Sequence, residues 1–185
     1  MSLYYFILSS LPTLKYGEPP PIKSDDFLSV CATWLDAKKY EVIKNIELVP
    51  KQELSTKIKP YSALDQWHKW ETCLRNRIVR ARKTPFSVDP AFFIRPEKDY
   101  FSEIDAGIQD AFSSSNPLNK EKIIETMRWK RLNELESGHM FDFYSLCIYR
   151  LKLLLLEKSE LRKVDAGRKN FDEIIDKKYN PEFLN

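Results

Sequence analysis

In 185 residues the chain carries only four glycines, two histidines and three cysteines, with no long continuous apolar run. So few glycines argue against a loop that cradles phosphate, and against the many tight turns of an all-β fold. His68 and His139 each lack a second histidine or a cysteine at ligand spacing, so no metal site is expected. No histidine–cysteine or histidine–serine motif and no glycine-framed nucleophile occurs, which leaves no candidate for covalent catalysis. Carboxylates are plentiful, but none pair so as to separate a general acid from a general base. The sequence therefore reads as a protein that is not an enzyme and takes no cofactor and no small-molecule substrate.

Other shortages bound the setting. Cys31, Cys73 and Cys147 are odd in number, far apart and set in apolar-periodic stretches, the pattern of buried free thiols in a reducing cytoplasm. With 30 basic and 27 acidic residues, the formal charge is only +3, so any case for nucleic acid or an anionic membrane has to be local. The apolar opening Leu3 to Leu8 lacks the basic leader and full apolar core of a secretory signal, and Pro12 soon ends it, so it reads as the first buried element.

What the chain does have is helical periodicity. A single helical domain over 1–185 is expected, or two helical halves, 1–83 and 99–185, joined by an extended segment over 84–98. At this length about 70% of the unfolded chain's surface can be buried. The segment from His139 to Glu157 is apolar on nearly every side. Phe141, Ser145, Ile148, Leu151 and Leu155 trace one seam, and Leu146, Tyr149, Leu153 and Leu156 trace another beside it. A surface helix needs only one apolar stripe, so this helix has to be wrapped by neighbours or by a partner. Asp142, Arg150 and Lys152 interrupt it, and its longest unbroken run falls far short of the ~20 residues of a membrane span.

Along the rest of the chain, Gly17 to Ile22 reads as a stiff proline-rich connector. Ser24 caps a helix from Asp25 to about Lys39 whose core includes Trp34. The stretch from Val42 to Val49 fits a helical turn or an edge strand. Ser62 and Asp65 resemble a capping box that opens a helix of some twenty residues, with Leu64, Trp67, Trp70, Leu74, Ile78 and Ala81 on one face and His68 outward. Pro85, Pro90 and Pro96 keep residues 84–98 out of regular helix, so they are expected to lie extended across the bundle. A helix from about Asp99 to Phe112 follows, then one capped by Asn119, running from Ile123 to Glu136 and stopped by Gly138. The short join Ser137–His139 sets the two central helices antiparallel, and a charged tail helix over Val164–Lys178 closes the chain.

Two groups of residues are candidates for contact with a partner. Arg75, Arg77, Arg80, Arg82 and Lys83 form a basic run that either meets phosphates or an acidic surface, or merely complements a helix C-terminus. Arg128 and Arg131 project from within the apolar face of their helix, where each must pair, reach the rim or point at a partner. Asp142 and Glu157 are the candidate internal partners. Trp129 falls off that apolar face and is the candidate for an exposed interface anchor, unless it packs under the tail helix.

One resemblance joins these parts. Asp142 to Glu157, with Phe143-Tyr144, Tyr149 and Leu151-Lys152-Leu153, resembles the last long helix of the V/A-type ATPase subunit called C in archaea and d in eukaryotes. Tyr4-Tyr5-Phe6-Ile7-Leu8, Leu11-Pro12, Pro19-Pro20-Pro21 and the stretch Phe27 to Tyr40 are similar to a bacterial family of uncharacterised proteins encoded among V-type ATPase genes. Together these segments cover about half the chain. The resemblance implies an all-helical, non-catalytic connecting subunit of a bacterial complex for ion transport and ATP synthesis. Its partners would be the central stalk and the membrane rotor ring, and its place the cytoplasmic face of the inner membrane, to which it would be held indirectly. The chain is markedly shorter than the archaeal and eukaryotic subunits, so a full three-part funnel is not expected. The alternative from another class is a nucleic-acid-binding helical module that uses the basic run Arg75 to Lys83.

Overall fold

The computed structural model describes residues 3–49, 62–82 and 90–162. Within them the protein is all-α, with seven α-helices, one 3-10 turn and no strand among the described residues. The helices are α1 (Leu3–Ser10), α2 (Ser24–Trp34), α3 (Ala37–Lys44), α4 (Ser62–Ala81), α5 (Ser102–Ser113), α6 (Pro117–Glu136) and α7 (Phe143–Glu160).

The enclosure expected for the apolar segment is found. Helix α7 packs against α1, α2, α3, α4 and α6, and buries residues on all its sides from Phe143 and Leu146 to Leu155 and Leu156. Helix α5 lies outside this ring, on α4 and α6. Gly107 lets it approach closely, because a Cβ there would overlap the thioether end of Met127 on α6. Helices α6 and α7 run antiparallel: Glu136 at the end of α6 meets Lys152 midway along α7, and Glu121 and Glu125 toward the start of α6 meet Arg162 just past the end of α7.

Local chemistry explains where the helices start and stop, and corrects four expected boundaries. The helix expected over Asp25–Lys39 is two helices. Leu35 adopts extended backbone, and the Asp36 side chain accepts the Lys39 amide at 3.0 Å to open α3. Trp34, expected in the core, stands at that break and is 51% exposed. Ser24 does not cap α2 but is its first residue. Its amide donates to Glu157 Oε1 of α7 at 2.7 Å and its hydroxyl donates to Oε2, so a carboxylate from the central helix serves as the cap. Asn116, not Asn119, caps α6, accepting from the Leu118 amide at 2.9 Å with Pro117 in the first turn. Finally, α7 begins at Phe143 rather than near His139, because Asp142 accepts the Ser145 amide at 2.8 Å.

Val42 and Ile43 are helical, within α3, whereas Ile46 to Val49 follow it outside any helix or strand. In the proline-bracketed stretch, Pro90–Phe93 forms the 3-10 turn and the chain then runs irregularly to α5, which starts at Ser102 rather than Asp99. Helix α1 is only partly a buried element. Ile7 is buried, while Leu3, Tyr5 and Phe6 are exposed. His68, expected to face outward, is 9% exposed, and burial holds its pKa below the ordinary histidine value. Cys31, Cys73 and Cys147 are free and buried as expected, and burial pushes the Cys31 thiol up to about 12. Residues 84–89 and the tail helix expected over Val164–Lys178 lie outside the described residues.

Enclosure of α7 has a measurable consequence. Leu151→Ala is expected to cost about 2–5 kcal/mol in urea unfolding. Leu161→Ala, just past the helix and exposed, is expected to stay within about 0.5 kcal/mol. Equal losses from the two changes would mean that α7 is not the enclosed element.

Candidate functional site

The basic run divides between two faces of α4. Residues 77 and 80, three apart, turn toward the irregular segment before α5, and residues 75 and 82, seven apart, share the opposite side. Arg77 donates to Glu97 Oε1 at 2.9 Å and to Asp105 Oδ1 at 2.8 Å, and Arg80 reaches the same Glu97 oxygen at 3.1 Å. Buried Asn76 completes this junction. Its amide donates to the Arg95 carbonyl and to Glu97, and its oxygen accepts the Arg95 amide. Arg77 and Arg80 thus hold the connecting segment against α4. Lys83 lies outside the described residues.

Arg75 and Arg82 instead line a cleft of about 550 Å³ between α4, α6 and the end of α7. Its wall also carries Arg95, Arg128, Lys158 and Arg162, with Glu121 the single carboxylate among the described lining residues. Phe93, 64% exposed, stands at its edge. Arg128 forms the floor. Its guanidinium donates from Nε to Glu71 Oε2 at 2.9 Å and from Nη2 to Glu71 Oε1 at 2.7 Å, a two-pronged pair with both side chains buried. Burial works against the Arg128 charge, but Glu71 outweighs it and the guanidinium pKa is raised. The candidate partners Asp142 and Glu157 are both engaged elsewhere: Asp142 accepts from His139 Nδ1 and caps α7, and Glu157 caps α2.

The signal for the true partner was present in the sequence. Glu71 lies four residues after Trp67 and three before Leu74, on the apolar face of α4, where an acid needs a buried counter-charge. Lys158, Arg162, Arg95 and Phe93 carry no comparable local signal, since they reach the cleft only through the packing. Arg131 pairs with Glu134 at 3.2 Å and lies over the Phe101 ring. Trp129 is half-buried rather than an exposed anchor. Its ring packs against Tyr16, centroids 5.6 Å apart, with the Lys152 ammonium 5.3 Å from its centre.

A second surface was not foreseen. Tyr5 on α1 meets Phe141 in the turn between α6 and α7, its ring centred 4.8 Å from Phe141 and 6.1 Å from its neighbour Phe6. Phe141 has φ +54°, a left-handed backbone that bulky residues rarely adopt, and it and Met140 face solvent. The turn is braced around them by Gly138 at φ +90°, by the Ser137 C-cap and by the Asp142 cap.

Removing one partner of the buried pair strands the other, so Arg128→Met is expected to lose about 3–5 kcal/mol of stability in urea unfolding. The double variant Arg128→Met/Glu71→Leu is expected to regain most of it; a double variant no better than the single one would refute the pairing argument. For Glu97, burial acts to raise the pKa, but Asn76, Arg77 and Arg80 outweigh it and hold the carboxyl below its ordinary value. A folded pKa below the unfolded one stabilises the fold fully above the ordinary carboxylate range, and that contribution is lost as pH falls through the lowered value. Unfolding midpoints should therefore drop below about pH 4, less steeply in Glu97→Gln, and an unchanged slope in that variant would exclude Glu97 as a contributor. No family model, curated protein or solved structure matches the chain.

Proposed function

We propose that this protein is a non-catalytic connecting subunit of a V/A-type rotary ATPase, similar in role to the subunit called C or d, linking the central stalk to the membrane ring. The observation that supports it is the exposed aromatic cluster in which Tyr5 meets Phe6 and Phe141, with exposed Met140 next to Phe141 in the chain. Aromatic residues and methionine are enriched at protein interfaces, and an exposed aromatic cluster at a turn is a ready docking surface. The identity of the partner rests on the resemblance of the N-terminal and α7 sequences. Two further features suit a part that transmits force, namely a central helix enclosed by five others and an antiparallel pair tied by ion pairs at two separate points. No described helix is long and apolar enough to cross a membrane, so attachment to the membrane would be through the ring subunits.

The alternative, a nucleic-acid module using the whole basic run, is weakened because Arg77 and Arg80 are engaged by Glu97 and Asp105.

Affinity purification of the tagged chain from its native membranes in mild detergent tests the reading. Stalk and ring subunits should be recovered in fixed ratio after a salt wash, and a Tyr5→Ala/Phe6→Ser variant with an unchanged circular dichroism spectrum should recover much less. An intact ATPase in the extract with none of its subunits bound to the tagged chain would sink the proposal.

A further inference from the structure

The cleft between α4, α6 and the end of α7 concentrates positive charge from four separate segments. Two of its cations matter most. Lys158 and Arg75 make no ion pair among the described residues, although both belong to the cleft wall. Helix dipoles explain only part of this. Lys158 sits in the last turn of α7, where a cation is favoured, but the dipole's influence fades within one turn. Arg75 lies more than a turn from the end of α4 at Ala81, and Arg128 lies in the middle of α6. Arg75 is exposed to solvent at the cleft wall, whereas Lys158 is only partly exposed, so solvation alone does not account for Lys158. Burial first, and then the guanidinium groups of Arg128 and Arg162, lower the Lys158 pKa below its ordinary value, with Glu121 and Glu71 opposing them.

We propose that this cleft binds a small, multiply phosphorylated anion, with Arg75 and Lys158 as its primary contacts and Arg128 as the fixed floor. The volume of about 550 Å³ falls within the roughly 300–1,000 Å³ typical of small-molecule sites. The Arg75 guanidinium fork, unlike that of Arg128, is taken by no carboxylate among the described residues and matches phosphate oxygens in pairs, and the Lys158 ammonium adds a mobile point charge, so the two suit adjacent phosphates better than a single carboxylate. Arg128 is held in place by Glu71 before any ligand arrives, which reduces the ordering needed on binding. Exposed Phe93 offers a ring on which a nucleobase can stack, and inorganic pyrophosphate would use the cations alone. This site is distinct from the aromatic surface assigned to a partner subunit, and neither reading depends on the other.

Calorimetric titration of the purified chain with pyrophosphate, ATP and a single-stranded oligothymidylate is the test. Saturable one-to-one binding of pyrophosphate and ATP is expected at low salt, weakening as salt is raised. Lys158→Glu and Arg75→Glu should each reduce affinity about tenfold or more. Lys38→Glu, an exposed lysine on α3, should leave it unchanged. ATP binding more tightly than pyrophosphate, with the difference erased by Phe93→Ala, would identify a nucleotide; equal affinities would identify a ligand read through its phosphates alone. The proposal is overturned if neither small anion binds at low salt, if both charge reversals leave binding unchanged, or if only the oligonucleotide binds.

Discussion

Helix α7 cannot stand at a surface, because its apolar residues point in nearly every direction and a helix can face water only on a side that water solvates. Five helices surround it, and much of the remaining structure follows from satisfying its few polar groups once they are enclosed. Glu157 is accommodated by capping α2, Tyr149 by donating to the Pro12 carbonyl at 2.8 Å, and Lys152 by pairing with Glu136 at 2.6 Å. Each of these contacts locates another element: α2, the connector after α1, and the end of α6. The polar residues of the central helix thus specify where its wrapping goes, while its apolar residues supply the drive to wrap.

Buried charge is distributed with the same economy. Arg128 and Glu71 join α6 to α4 across the interior, and their two-pronged geometry fixes the rotation of one helix against the other as apolar contact alone would not. Arg150 shows the cost of enclosure. It is buried on α7, stacks its guanidinium 6.0 Å from the Phe27 ring centre, and leaves Nε and Nη1 without a hydrogen-bond partner among the described residues. Burial lowers its pKa, with the charges of Glu157 and Asp25 opposing that effect.

The two candidate surfaces lie on different parts of the bundle and differ in chemistry. One is an aromatic patch at α1 and the α6–α7 turn, the other a cationic cleft beside α4 and the far end of α7. The antiparallel α6–α7 pair runs between them, tied by Glu136 to Lys152 and by Glu125 to Arg162.

Helix content, the extent of α4, the enclosure of α7, the antiparallel central pair and the free buried cysteines were all legible in the sequence. They follow from periodicity, glycine content and loop length, which are properties of neighbouring residues. Helix ends were less legible. Asp36, Asn116 and Asp142 are all good caps, but Ser24 and Asn119 are equally plausible by residue type, and the carboxylate that capped α2 came from Glu157, over a hundred residues away. The outward orientation expected of His68 and the core position expected of Trp34 failed for a related reason. Periodicity ranks the faces of a helix, but the neighbours decide how wide the buried face is and where a helix breaks. The pairing of Arg128 with Glu71, the division of the basic run between Glu97 and the cleft, and the meeting of Tyr5 with Phe141 were decided only by tertiary structure, because each joins segments whose distance along the chain says nothing about their distance in space.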